Sequence, residues 1–224
     1  MTAQPTIVFD LDGTLVDTAP DLIGALNFVL DREGLPPMPM ASARNMIGAG
    51  ARKLIERGLE AEGRVMTVQE IDRMTADFIG YYAENIAVAS RPFEGLEAAL
   101  DHLAASGCRL AVCTNKLEWL SKRLLDQLGL SPRFAAICGA DTFGVAKPDP
   151  TILKQTVARA GGALSSTIMV GDAGTDIGVA RRAGVPVIGV SFGYTEVPIA
   201  ELKPDLLIHH MRDLPGAVGE LNSR

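Results

Sequence analysis

The chain has 224 residues, 47% of them hydrophobic, and a formal net charge of −6 at pH 7. That length can bury one good core, or one core with a smaller satellite, without disulfide or metal staples. The acidic balance leaves no basic stripe for duplex phosphates, which excludes nucleic acid as a main partner; a small anionic ligand stays open if cations are gathered locally.

The first element is a strand, TIVF at 6–9, and it runs into Asp10, with a second acid at Asp12 and a bend at Gly13-Thr14. Two carboxylates two residues apart at the end of a buried strand repel each other and resist desolvation, so a cation is expected beside them. Residues 18–90 then lack any strand pattern. PDLIGALNFVLDREG, ARKLIERGLEAEG and TVQEIDRMTADFIGYYAENIA are helical in period, with PPMPM between the first two. From 91 onward helices alternate with short apolar runs. Helices are expected at 95–106, 117–129, 149–161, 174–183 and 212–222, and strands at 109–113, 134–138, 167–170, 186–190 and 205–208. Continuous apolar strands separated by helices predict an α/β fold with a parallel, doubly wound sheet covered on both faces. The domain division that follows is a core made of 1–17 and 91–224, interrupted by a helical insert at 18–90.

In such a sheet, ligands bind beyond the carboxyl ends of the strands. Asp10 and Asp12 fall there, as do Thr114, Asn115 and Lys116 after RLAVC, Asp172 and Asp176 after TIMV, and Lys147 ahead of the helix at 149. Each has a plainer explanation alone: a hairpin turn at Asp12-Gly13, helix caps at Thr114, Asp172 or Thr175, a solvated charge at Lys147. Their joint placement on one edge favours a site. Hard carboxylate oxygens suit Mg²⁺, one free carboxylate can attack phosphorus, and hydroxyl, amide and ammonium donors can hold phosphoryl oxygens. Asp12 is placed to donate and then accept a proton.

DLDGTLVD, the strand-end CTN, the lysine of AKPDP and GDAGTD resemble, in order, the four motifs of the haloacid dehalogenase superfamily of phosphohydrolases. The resemblance implies a Rossmann-like core with 18–90 as a mobile cap. It implies Asp10 as nucleophile, Asp12 as acid/base, and Thr114, Asn115 and Lys147 as phosphate binders. Asp10, Asp172 and the Asp12 main-chain carbonyl would hold Mg²⁺, with Asp176 in support. An acid at position 12 points to phosphatase rather than dehalogenase chemistry. LVDTAPDL, IGAG at 47–50, TNK and GVSFGY are further similar to bacterial phosphoglycolate phosphatases, though Ala173 and Thr175 stand where relatives often carry Ser and Asn.

The expected partner is therefore a small phosphorylated metabolite, most simply 2-phosphoglycolate, otherwise another small sugar or metabolite phosphate. Arg44, Arg52 and Lys53, near the IGAG turn, are the candidate carboxylate receptors. A phosphonoacetaldehyde hydrolase would use Lys53 for a Schiff base. A receiver-like signalling module is disfavoured by the long insert, and a dinucleotide-binding oxidoreductase by the absence of a strand before IGAGAR. Cys108, Cys113 and Cys138 lie in apolar runs without ligand spacing and read as core thiols of a reducing cytoplasm. His102, His209 and His210 form no metal or triad pattern. No signal peptide or membrane span is expected, and the chain is expected to be a monomer or homodimer.

Overall fold

The computed structural model describes residues 4–223, so residues 1–3 and 224 of the expected core segments lie outside the described residues. In chain order the elements are β1 (Thr6–Phe9), β2 (Val16–Asp17), α1 (Ala19–Arg32), α2 (Met40–Ala43), α3 (Ala51–Ala61), α4 (Val68–Glu84), β3 (Arg91–Pro92) and α5 (Leu96–Ala105). They continue with β4 (Arg109–Cys113), α6 (Glu118–Gln127), β5 (Ala136–Cys138), α7 (Pro150–Arg159), β6 (Thr167–Gly171), α8 (Gly174–Ala183), β7 (Val187–Val190), β8 (Leu206–Ile208) and α9 (Leu214–Asn222).

Six strands form one parallel sheet in the order β5-β4-β1-β6-β7-β8. All four residues of β1 are buried, as a central strand covered on both faces requires. Ile7 and Phe9 pack on one side with Leu100 and Leu103 of α5 and Leu124 of α6, while Val8 packs on the other with Ile152 and Val157 of α7 and Ile177 of α8. The expected strands and core helices are all present, each within two residues at either end.

The Asp12-Gly13 turn does not open a hairpin with a following strand. Instead β2 pairs antiparallel with the distant β3, Val16 opposite Pro92 and Asp17 opposite Arg91. This ribbon joins the point where the chain leaves the sheet layer to the point where it returns. It was invisible in the sequence because two-residue strands carry no period and one of them contains a proline.

Between the two ribbon strands lie α1 to α4. Pro20 sits in the first turn of α1, where its missing N–H is harmless. Thr67 caps α4: its hydroxyl accepts from Glu70 N at 3.3 Å, and the Glu70 carboxylate accepts from Thr67 N at 2.7 Å. Leu22, Leu26, Phe78 and Tyr82 from these helices join the same apolar cluster as Ile7 and Phe9, so the insert packs onto the sheet side rather than forming a separate core. Among the described residues no helix is long and apolar enough to cross a membrane. Cys113 and Cys138 are buried and Cys108 half-buried, all three free.

Candidate active site

β1 ends at Phe9, and Asp10 follows with its N–H still donating to Val170 O at 2.9 Å. The strand ladder thus fixes the backbone that carries the carboxylate. Oδ1 of Asp10 accepts from Leu11 N at 2.7 Å and lies 2.8 Å from Lys147 Nζ. On the neighbouring strand β6, Gly171 hands over to Asp172. Its two oxygens accept from Thr14 Oγ1 at 2.7 Å and from Tyr194 N at 2.6 Å. Asp176, in the first turn of α8, meets Lys147 Nζ at 2.6 Å and accepts from Ala173 N at 3.0 Å. One oxygen each from Asp10, Asp172 and Asp176 lies within 4.8 Å of the others, and all three residues are buried.

Three buried acids balanced by one lysine leave a surplus of negative charge. Burial, then the charge of Asp176, pushes Asp10 up to about 7 against the opposing pull of Lys147. Burial, then Asp10 and Asp176, raises Asp172 well above the ordinary carboxylate range. A hard divalent cation among these oxygens would remove that penalty, so the donor set fits Mg²⁺. The surrounding backbone leaves no spare room: a Cβ at Gly13, whose φ is +81°, or at Gly193 would collide with Asp172, and one at Gly171 with Asp176.

The Asp12 carboxylate turns away from this cluster. It accepts from Thr18 Oγ1 at 2.8 Å, and both its oxygens lie 2.9 Å from Lys116 Nζ. Thr114, 2% exposed, accepts from Lys116 N at 3.2 Å through its hydroxyl oxygen, which leaves the O–H proton to donate. Asn115, expected to bind phosphate, is otherwise engaged. Its amide donates to Gly48 O and Lys147 O at 3.2 Å each and accepts from Lys147 N at 2.8 Å, so it ties the Lys147 loop to the insert. The Lys147 ammonium is wholly buried between Asp10 and Asp176.

A cavity of about 250 Å³ opens over Asp10, Asp12, Thr114 and Lys116, with Ile47, Phe78 and Tyr82 of the insert forming its opposite wall. Of the three basic residues expected there, Arg52 alone lines it, and its guanidinium is already paired with Glu56 at 3.1 Å and with Asp72. Arg44 instead pairs with Asp17 at 3.2 Å and covers the Tyr194 ring at 4.8 Å. Lys53 points to solvent and pairs with Glu56 at 2.6 Å, because on α3 its neighbours Leu54 and Ile55 take the inward face. The three histidines are exposed and outside the site.

The roles of three residues, Lys116, Tyr82 and Tyr194, do not follow from local sequence pattern. Lys116 was seen as part of the TNK loop, yet its contact with Asp12 and its position 4.6 Å over the Tyr82 ring come from a distant helix. Burial, the largest single influence, works against its charge, but Asp12 and Tyr82 together outweigh it and keep the ammonium protonated. Burial pushes the Tyr82 phenol up to about 12, with Lys116 opposing. The ammonium lies over the ring face, and among the described residues the hydroxyl has no partner in hydrogen-bonding geometry. Tyr194, 1% exposed, accepts from Ala19 N at 3.0 Å through its hydroxyl, which also donates to Asp17.

Residues 7–190 match the family described as haloacid dehalogenase-like hydrolase. The chain is similar to the phosphoglycolate phosphatase of Caulobacter vibrioides, 50% identical over 212 residues that cover 95% of this chain and 90% of the relative. It is 44% identical to that of Mesorhizobium japonicum, covering 97% and 96%. A solved structure of a predicted phosphoglycolate phosphatase from Haemophilus somnus 129pt superposes with a TM-score of 0.88 at 30% identity, over 97% of this chain and 99% of that one. With the parallel sheet and the acidic cluster at its carboxyl edge, these similarities place the chain in the haloacid dehalogenase-like hydrolase family, among its phosphoric monoester hydrolases.

Proposed function

We propose that the protein hydrolyses 2-phosphoglycolate to glycolate and phosphate through an aspartyl phosphate on Asp10. The observation that carries this reading is the buried group of Asp10, Asp172, Asp176 and Lys147, set directly behind a small cavity walled by the insert. The naming of relatives at 44–50% identity supports the choice of ester.

Asp10, Asp172 and the Asp12 main-chain carbonyl would hold Mg²⁺, with Asp176 in support; the ion would neutralise charge on the phosphoryl oxygens. Asp10 attacks phosphorus, forming a carboxylate O–P bond as the ester O–P bond breaks. Asp12 gives its proton to the departing glycolate oxygen. It then takes a proton from the water that attacks the same phosphorus and frees Asp10. The Thr114 hydroxyl donates to a phosphoryl oxygen. Lys147 lies within reach of any group bonded to Asp10, and Asn115 holds the loop that presents it. The insert at 18–90 acts as a cap whose closure excludes water while the intermediate forms. A phosphonoacetaldehyde hydrolase is disfavoured, since Lys53 is paired in solvent and Lys116 is held protonated.

Phosphate release measured across small esters, with and without Mg²⁺, tests the proposal. Turnover should require the ion and be highest on 2-phosphoglycolate, and Asp10→Asn should fold but lose about 10³-fold or more in kcat, because an amide cannot form the acyl phosphate. Retained turnover in that variant would reject Asp10 as nucleophile.

A further inference from the structure

The wall of the cavity contributed by the insert is mainly apolar, with Ile47, Leu54 and Phe78 beside Tyr82. Tyr82 is 1% exposed, and its hydroxyl has no hydrogen-bond partner among the described residues. An O–H buried on a cavity wall without a partner is a donor waiting for a ligand acceptor, because leaving it unmade opposes folding. Across from it stands Lys116, with its side chain 6% exposed. An ammonium carries three N–H donors, and the Asp12 carboxylate takes at most two. The two groups come from opposite sides of the cavity, α4 of the insert and the loop after β4, and the ammonium, paired with Asp12, lies 4.6 Å over the centre of the Tyr82 ring, so cation and phenol share one end of the cavity.

We propose that Lys116 and Tyr82 together form the receptor for a carboxylate on the substrate, the ammonium pairing with it and the phenol donating to one of its oxygens while the phosphoryl group sits at Asp10. The proposal rests on the phosphatase reading and adds the groups that select the ester. Arg52, the other cation on the wall, is already matched by two acids and exposed to solvent, whereas Lys116 works where water does not compete. A sugar phosphate would bring several hydroxyls against the apolar wall, where they would lose their water without gaining partners. A two-carbon ester bearing one carboxylate brings a single polar group, and the receptor meets it.

The test compares kcat/KM for 2-phosphoglycolate with that for 2-hydroxyethyl phosphate, which replaces the carboxylate by a neutral CH₂OH, in the wild type, Tyr82→Phe and Lys116→Met. The wild type should prefer phosphoglycolate. Tyr82→Phe should shrink that preference by about ten- to hundredfold, the size of a lost hydrogen bond to a charged group, mainly through KM for phosphoglycolate. Lys116→Met should shrink it at least as far, and should also lower kcat for both esters, since Asp12 loses its partner. Unchanged preference in both variants would overturn the receptor while leaving the phosphatase reading intact. A wild type that releases phosphate from 2-hydroxyethyl phosphate and none from phosphoglycolate would overturn the receptor and the choice of ester, and release from neither would overturn the phosphatase reading as well.

Discussion

Lys147 carries the charge balance of the acidic cluster on one buried atom, 2.8 Å from Asp10 and 2.6 Å from Asp176. Replacing it with Met would leave buried carboxylates uncompensated. Urea unfolding should show a loss of about 3–5 kcal/mol, the range for breaking a buried pair from one side. Gly193 makes a subtler case, because a methyl group there collides with Asp172 without altering any charge. Gly193→Ala should weaken Mg²⁺ activation by about tenfold or more, as displaced ligands and their supports do, and titrating the metal against turnover measures it. The residues of the cluster were legible in the sequence because each stands at the end of a recognisable apolar strand or just before a helix. The role of Lys116 was not, since it depends on Asp12 and on Tyr82 of a helix whose packing no local pattern reveals.

The elements most informative about motion are the shortest. The β2–β3 ribbon carries both crossings between the sheet and the insert, and it is fastened on each side. Asp21, in the first turn of α1, accepts from Ser90 N at 2.8 Å, Ser90 Oγ at 2.7 Å and Ala89 N at 3.0 Å. Tyr194 binds Asp172 through its N–H and the insert's entry through its hydroxyl, with Arg44 over its ring. A single residue thereby links an acid of the cluster to the start of α1. Tyr194→Phe keeps the ring but strands Ala19 N and Asp17; it should lose about 1–3 kcal/mol of stability, the range for leaving buried polar partners unmet, and a fall in kcat alongside would show that the link serves turnover. Long apolar strands and helices of ten residues announce themselves by period, and all were found. The ribbon pairs residues some 75 positions apart and the Tyr194 hydroxyl meets a backbone N–H 175 positions away, separations that single-sequence patterning does not encode.

At the scale of the whole molecule, the sheet and insert share one continuous apolar cluster, while the cavity between them is bordered by the acids. The parallel sheet followed from the alternating texture of apolar strands and helices. How closely the insert packs on the core did not, because an amphipathic face does not name what covers it. Since the ion would bind only the folded arrangement, Mg²⁺ at about 100 times its Kd should stabilise the protein by about 2.7 kcal/mol. Thermal unfolding with and without a chelator reads this directly, and Asp172→Asn should abolish most of the shift. The account's central claim is that Asp10 receives the phosphoryl group. Rapid acid quench during turnover of 2-phosphoglycolate, followed by mass spectrometry of the peptide containing Asp10, should find the mass of one phosphoryl group on that side chain; its absence there during active turnover, or its appearance on another residue, would contradict the account.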